Sequence, residues 1–201
     1  MNGNFEEITQ RLSVVPEYKR WFEQLFPGGG VSEDAIVTAI ATYERTIVTA
    51  WAPFDRWVEG DETAISDAAK RGFEVFNTTA ACAACHSGWN FTDNQFHDIG
   101  LASVDIGRAK YEPDNVLAGQ AFKTPGLRNI MYRGPYMHDG SILTIEEVIE
   151  HYANGVIERP SLSPLMAKIA LTDQDRSDLV DFLKTLTADE AEVPTPVLPT
   201  R

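Results

Sequence analysis

The 201-residue sequence is poor in cysteine, poor in basic residues and free of long apolar runs. No apolar segment is long enough to cross a bilayer, so a membrane-spanning protein is not expected. Its 17 lysines and arginines face 30 acidic residues, which gives a net charge of -13. This charge argues against binding to nucleic acid or to anionic membrane surfaces.

Both cysteines lie in one short motif, Cys82-Ala-Ala-Cys85-His86. The spacing C-x-x-C-H is the attachment signature of a c-type haem. Each cysteine forms a thioether to one vinyl group, and the following histidine is held where its imidazole ligates the iron. We therefore predict one covalently bound haem c, with Cys82, Cys85 and His86 as its anchors and His86 as an iron ligand.

Two other uses of a C-x-x-C pair were weighed. A redox dithiol would be expected at a strand-to-helix turn in a βαβ pattern, which is not seen in this sequence. A four-cysteine zinc site needs a second cysteine pair, and there is none. A mixed cysteine and histidine zinc site stays open.

The start of the chain contrasts with this motif. Bacterial haem attachment takes place outside the cytoplasmic membrane, so the motif predicts a periplasmic protein. Residues 1–7 nevertheless have neither the basic start nor the apolar stretch of an export signal. We expect either that a signal has been removed with upstream sequence or that the chain is part of a longer protein.

Apolar residues at helical spacing predict an all-α fold, a cytochrome c-like haem domain with long loops and no convincing strands. Expected helices cover residues 5–12, 17–26, 32–49, 68–76, 144–153, 162–170 and 173–186. Residues 51–61 are expected to form a linker, and residues 87–120 a loop around the haem edge. In the third helix the expected buried stripe is Ile36, Ala39, Ile40, Tyr43 and Ile47.

Capping residues mark where several of these helices begin. The expected N-caps are Asn4 or Thr9, Ser32, Ser66 or Asp67, Thr144 with Glu147 in a capping box, and Thr172.

The second axial position on the iron decides what such a haem does. Methionine raises the potential, whereas an open position allows reaction with peroxide or oxygen. Tyrosinate is a hard anion that favours ferric iron. Position and chemistry leave six downstream candidates open: His97, Met131, Met137, His138, His151 and Tyr152.

Several ordered stretches between about Pro16 and Leu186 resemble the C-terminal part of the bacterial di-haem cytochrome c peroxidase family, which includes MauG. They include FPGG at 26–29, CAACHSG, FHDIG at 96–100, FKTPGLRN, GPYMHDGS and TIEEVIEHYANG. The family has two haem domains, and its C-terminal domain carries the electron-transfer haem.

The resemblance implies that His86 is the proximal ligand and that the distal ligand lies on the helix after the HDG loop. Ordinary family peroxidases have methionine there, and MauG-like members have tyrosine. The matching residue here is Tyr152, with His151 as its nearest competitor. Lys123 and Arg128 match positions that can pair with haem propionates. His138 matches a loop residue expected near the propionates or between domains.

The same resemblance implies a domain plan. Residues 1–50 would be the helical remnant of a truncated first domain, 51–188 the haem domain, and 189–201 an extended tail. The family's peroxide-site residues fall upstream, so no catalytic residue is assigned. A family calcium site uses backbone carbonyls that would here belong to Arg133 and Pro135, and its third protein ligand comes from the missing domain.

Three functions remain under consideration. The chain supplies the electron-transfer haem of a peroxidase or MauG-like oxidoreductase, or it is a single-haem electron carrier, or it is a haem-based ligand-binding module. The expected partners are a redox protein such as a small cytochrome c or a copper protein, and a second haem domain or chain.

Overall fold

Helices account for most of the regular structure in a computed structural model that describes residues 3–166, 168–189 and 197–200. The chain divides into two units, residues 1–48 with 190–201, and residues 49–189. No helix in the described ranges is both long and apolar enough to cross a membrane. The expected tail at 189–201 falls largely outside the described residues.

The first unit contains three helices, α1 (Phe5–Ser13), α2 (Pro16–Leu25) and α3 (Glu33–Glu44). The Asn4 side chain accepts the backbone N–H groups of Glu6 and Glu7. Ser32 accepts the N–H of Ala35 at 3.3 Å. Both caps are those expected from the sequence, because a short polar side chain satisfies the unpaired donors of a first turn.

The prediction for α3 was wrong in two respects. The helix ends at Glu44 instead of about residue 49. The segment that follows, Thr46 to Thr49, consists of β-branched residues that disfavour a helix, and the Thr46 hydroxyl donates to the Tyr43 carbonyl at 2.7 Å. Of the expected stripe only Ile36 is buried; Ala39 is half-buried, and Ile40, Tyr43 and Ile47 are exposed. The helical periodicity identified one face of α3, but too few of the described residues pack on that face to bury it.

The second unit is built on α4 (Pro53–Val58), α5 (Asp67–Asn77), α6 (Ile145–Glu150) and α7 (Asp173–Thr185). Its core is a cluster of phenylalanine rings whose centroids lie 5.1–6.2 Å apart. The rings are Phe54, Phe73, Phe76, Phe91 and Phe182.

Close packing of α5 on α7 depends on Gly72. A Cβ atom there would lie 1.9 Å from the carbonyl oxygen of Asp178. Beside it the Arg71 guanidinium makes two hydrogen bonds to the Asp178 carboxylate, at 2.8 and 2.9 Å. The two helices therefore meet backbone to backbone, and they bring the CAACH segment next to α7.

Residues 51–61, expected to form a linker, contain α4. Pro53 opens this helix, and the Asp55 carboxylate accepts the N–H of Ala52 at 2.9 Å. Phe54 then inserts into the aromatic core. A proline at the first helical position and an acid two residues later are a helix-start signal that the prediction overlooked.

Two short strands were also not expected. β1 (Phe96–His97) pairs antiparallel with β2 (Phe122–Lys123) and closes the base of the long loop. Strands of two residues give no periodicity to detect. Single 3₁₀ turns occur at Cys82–Ala84, Arg108–Lys110, Val116–Ala118 and Ile130–Tyr132. The helix expected at 162–170 is absent from the residues described there, which form turns and irregular chain.

Candidate haem-binding site

The second unit encloses a cavity of about 540 Å³. This volume is in the usual range for small-molecule and cofactor sites. Aliphatic and aromatic side chains from α5, α6, α7 and the loops form much of its wall, among them Phe76, Leu101, Ile149, Leu179 and Leu183. Such a wall fits a large apolar ring system.

The CAACH motif lies on this wall as a tight turn. Ala81 has a positive φ of 52°, a 3₁₀ turn follows at Cys82–Ala84, and the His86 N–H donates to the Cys82 carbonyl at 2.9 Å. Burial raises the pKa of the Cys82 thiol to about 12, and the nearby charge of Cys85 adds to the rise. The two sulfurs, which are not joined in a disulfide, therefore face the cavity as protonated thiols near neutral pH.

The His86 ring lies close to two backbone carbonyls, those of Phe91 and Pro125. Its Nδ1 lies 2.9 Å from the carbonyl oxygen of Phe91. A carbonyl only accepts, so Nδ1 carries the proton and Nε2 keeps its lone pair. Burial lowers the pKa of His86, against opposing effects from the Phe91 carbonyl, Asp93 and the Pro125 carbonyl. The histidine is thus held neutral in the tautomer that a metal ligand needs.

Tyr152 reaches the same cavity from the helix after the HDG loop. The Thr144 and Glu147 capping box opens α6, as predicted, and the helix widens into a π turn at His151–Gly155. Such π turns occur frequently at functional sites. Tyr152 lines the cavity, and within the described ranges its hydroxyl has no hydrogen-bond partner. Burial, followed by the charges of Cys82 and Cys85, raises its pKa.

His151 faces another way. It is buried, and its Nε2 lies 3.1 Å from the carbonyl oxygen of Ile99, which it reaches as a donor. It is not on the cavity wall. The side chains of the two neighbours therefore point in different directions from the π turn.

The remaining candidate iron ligands differ in whether they line the cavity and in the contacts that their side chains make. His97 lines the cavity, but its Nε2 contacts Asp93 at 2.8 Å and its Nδ1 contacts Ser163 at 2.9 Å. His138 lies on the wall with its ring stacked on Phe122, at a centroid distance of 3.6 Å. Met137 is also on the wall, and Met131 is not.

Of the two expected propionate partners, one lies on the cavity wall and the other does not. Lys123 lies on the cavity wall, and its Nζ donates to Asn94 at 2.8 Å. Arg128 is not on the wall and is instead buried against Asp55, whose carboxylate accepts from Nη1 at 2.7 Å. A match in sequence position did not reveal that Arg128 already has an internal partner.

Arg159 and Met166 also lie on the wall, and the sequence analysis did not assign either of them to the site. Arg159 donates two hydrogen bonds, at 2.7 and 2.5 Å, to Asp98, whose side chain is fully buried. The ion pair places a permanent cation at the cavity. An arginine and an aspartate separated by 61 residues give no local signal of this pairing.

The possible metal positions have different support. Arg133 and Pro135, the expected calcium residues, both lie on the cavity wall. Cys85, Asp93 and His97 bring three potential ligand atoms within 4.8 Å of one another. This is the arrangement a mixed cysteine and histidine metal site would need, but the His97 to Asp93 hydrogen bond already accounts for part of the proximity.

Together the wall residues fit a covalently attached haem. Two thiols, an imidazole and a phenol that has no hydrogen-bond partner among the described residues all line one apolar cavity. Two thiols and the following imidazole are the groups with which a C-x-x-C-H motif holds haem, and a phenol oxygen can also ligate haem iron.

Two protein families match consecutive parts of the chain. Residues 69–187 match the cytochrome c family, and residues 1–63 match the family described as di-haem cytochrome c peroxidase.

Relatives of the whole chain carry related names. The methylamine utilization protein MauG of Methylophilus methylotrophus is 46% identical over 99% of this chain and 60% of its own length. MauG of Methylorubrum extorquens is 47% identical over 99% of this chain and 57% of its own. Cytochrome c551 peroxidase of Nitrosomonas europaea is 31% identical over 96% and 56%. The chain thus spans well under two thirds of each of these relatives.

A solved structure gives the same picture. A MauG-like protein associated with microbial copper homeostasis superposes with a TM-score of 0.77 at 30% identity, over 94% of this chain and 63% of that one. The diheme peroxidase BthA of Burkholderia thailandensis, at 18% identity and a TM-score of 0.70, shares the fold.

Proposed function

The chain belongs to the di-haem cytochrome c peroxidase and MauG family, and we propose that it supplies the electron-transfer haem of a two-haem, peroxide-dependent oxidoreductase. The observation that carries this proposal is the meeting of Cys82, Cys85, His86 and Tyr152 on one cavity wall. The match of residues 1–63 to the peroxidase family favours this role over that of a free single-haem carrier.

In this role each residue has a defined task. Cys82 and Cys85 would anchor the cofactor, and His86 would present Nε2 to the iron while its Nδ1–H donates to the Phe91 carbonyl. Tyr152 would supply its phenol oxygen as the second protein ligand. A bound haem c supplies one-electron chemistry, which this ligand pair tunes toward the ferric state.

Further parts of the proposal follow from this role. We place the protein in the periplasm, with one haem c per chain, a second haem from another domain or chain, and a small cytochrome c or copper protein as electron donor. A calcium ion at the Arg133 and Pro135 carbonyls would need most of its usual six to eight oxygen ligands from elsewhere.

The test is production of the chain with an export leader in a host that attaches c-type haem. We expect a mass increase of one haem, a Soret band and reversible one-electron reduction, without enzymatic peroxide turnover by the isolated chain. The double variant Cys82→Ser/Cys85→Ser is the control and should lack the covalent mass. A wild-type chain that attaches no haem, or a one-haem chain that turns over peroxide at enzymatic rates, would contradict the proposal.

A further inference from the structure

We propose that Arg128 is a positioning residue for His86, which it controls by fixing the loop that carries the Phe91 carbonyl. The inference rests on the proposed function, because its effect is on the iron ligand. It gives Arg128 a role other than the propionate contact expected from sequence.

Arg128 holds this loop through two contacts and is itself held by a third. Its Nε donates to the Trp89 carbonyl at 2.8 Å, and its guanidinium carbon lies 5.4 Å from the centroid of the Phe91 ring. Its Nη1 donates to Asp55 at 2.7 Å, so the guanidinium is itself fixed from α4. The side chains of Arg128 and Asp55 are only 10% and 21% exposed, which makes this a largely desolvated ion pair.

The loop needs such support because its backbone is unfavourable. Phe91 has a positive φ of 53°, a conformation that costs free energy for a bulky residue. Its own turn and the surrounding contacts keep it there. The turn is closed by the Phe91 N–H, which donates to the Gly88 carbonyl at 3.1 Å. The surrounding contacts include the aromatic core around the Phe91 ring, the backbone bond from Leu127 to Asn90 at 3.3 Å, and Arg128.

The Phe91 carbonyl accepts the hydrogen bond of the His86 Nδ1–H at 2.9 Å, with the Pro125 carbonyl as a further acceptor near the ring. Arg128 therefore acts on the imidazole through one intermediate residue and not through the cavity, whose wall it does not reach. A well-aligned acceptor at Nδ1 raises the basicity of Nε2 and stabilises ferric iron. Loosening the loop should weaken this bond and shift the midpoint potential upward.

The substitution Arg128→Lys separates this role from simple electrostatics. Lysine keeps the positive charge but loses the planar fork that reaches both Asp55 and the Trp89 carbonyl. A purely electrostatic role predicts no change in potential for lysine. The positioning role predicts an upward shift of the midpoint potential for Arg128→Lys. It predicts a smaller upward shift for Asp55→Asn, in which the Arg128 guanidinium is still present but has lost its ion-pair partner.

Arg71→Lys is the matched control. Arg71 also pairs with a carboxylate on another helix, through bonds of 2.8 and 2.9 Å to Asp178, but it lies off the cavity wall. The haem-loaded proteins are compared by redox titration and by the iron–histidine stretching frequency of the ferrous form. We expect a raised potential and a lowered frequency for Arg128→Lys and Asp55→Asn, and wild-type values for Arg71→Lys.

Wild-type values in both Arg128→Lys and Asp55→Asn, or a lowered potential, would overturn the inference while leaving the proposed function intact. A wild-type protein without haem would instead contradict the proposed function. If neither variant loads haem, NMR of the haem-free chains decides. Faster exchange of the His86 Nδ1 proton than in wild type supports the positioning role, and an unchanged rate overturns it.

Discussion

The Nδ1 atom of His86 lies 2.9 Å from the carbonyl oxygen of Phe91, five residues further along the chain. This contact, with the Pro125 carbonyl as a further acceptor near the ring, favours the proton on Nδ1 and leaves Nε2 available as a ligand atom. The contact closes within a short loop, so the motif and its orienting carbonyl form one local unit. Ligation and attachment should therefore be separable by mutation.

Replacement of His86 by glycine tests that separation. His86→Gly should keep the thioether links through Cys82 and Cys85 but lose the proximal ligand, and added imidazole should restore a six-coordinate spectrum. Mass spectrometry and visible spectroscopy measure the two properties. His151→Gln is the control, because His151 is buried and bonded to the Ile99 carbonyl, off the cavity wall. An unchanged spectrum in His86→Gly would exclude it as the ligand.

Substitution of Tyr152 tests the opposite ligand. In Tyr152→Phe the ferric spectrum should change from six-coordinate to five-coordinate, or another side chain should take the position. Tyr136→Phe is a close control, since Tyr136 lines the same cavity but donates its hydroxyl to the Ile130 carbonyl at 3.2 Å. Tyr152 would lose its assignment if both variants kept the wild-type spectrum.

The raised pKa of Tyr152 predicts a dependence of stability on alkaline pH in the haem-free chain. Burial favours the neutral phenol in the folded state, so its contribution is fully present below the ordinary tyrosine pKa of about 10. It is lost as pH rises through the higher folded-state pKa. Urea denaturation can be measured between about pH 8 and about pH 11, a range that brackets the ordinary tyrosine pKa. Over this range Tyr152→Phe should lose less stability than wild type. Parallel curves would argue against a buried phenol.

Several local signals in the sequence were read correctly, although the helix start at Pro53 and Asp55 was overlooked. The Thr144 and Glu147 capping box and the Thr172 cap depend on residues three apart, and both form. That Arg159 lies on the cavity wall and Arg128 does not could not be predicted in this way. It depends on Asp55 and Asp98, which are distant in sequence and whose proximity only the folded chain creates.

The Asp98 carboxylate should be important for stability at neutral pH. Burial opposes its ionisation, but hydrogen bonds from Arg159, Ser161 and the Gly100 N–H lower its pKa overall. Asp98→Asn leaves the Arg159 charge without its partner and should cost about 3 kcal/mol. Glu112→Gln, in the exposed pair with Arg108, should cost less than about 1 kcal/mol.

The same carboxylate predicts the behaviour in acid. A lowered folded-state pKa gives stability that is present above the unfolded value of about 3.9 and is lost as pH falls further. Urea denaturation at neutral and acid pH measures both effects. The gap between wild type and Asp98→Asn should narrow in acid, and a constant gap would show that the ion pair does not titrate.

Gly72 gives a prediction in which helix propensity and packing have opposite signs. In an exposed helix, Gly→Ala stabilises by about 1 kcal/mol. At Gly72 the added Cβ would lie 1.9 Å from the Asp178 carbonyl oxygen and 2.8 Å from the Phe182 Cβ, so α5 and α7 would have to separate. Overpacking of this kind costs about 1–3 kcal/mol and should exceed the gain.

Gly72→Ala should therefore have a lower free energy of unfolding than wild type, as measured by urea denaturation. Glu74→Ala, on the exposed side of the same helix, should change this free energy by less than about 0.5 kcal/mol. Because α5 leads directly into the CAACH turn, separation of the helices would also displace the haem anchor from α7. Gly72→Ala should thus reduce haem loading as well as stability. A stabilised Gly72→Ala protein with full haem content would mean that the two helices are less closely packed than described here.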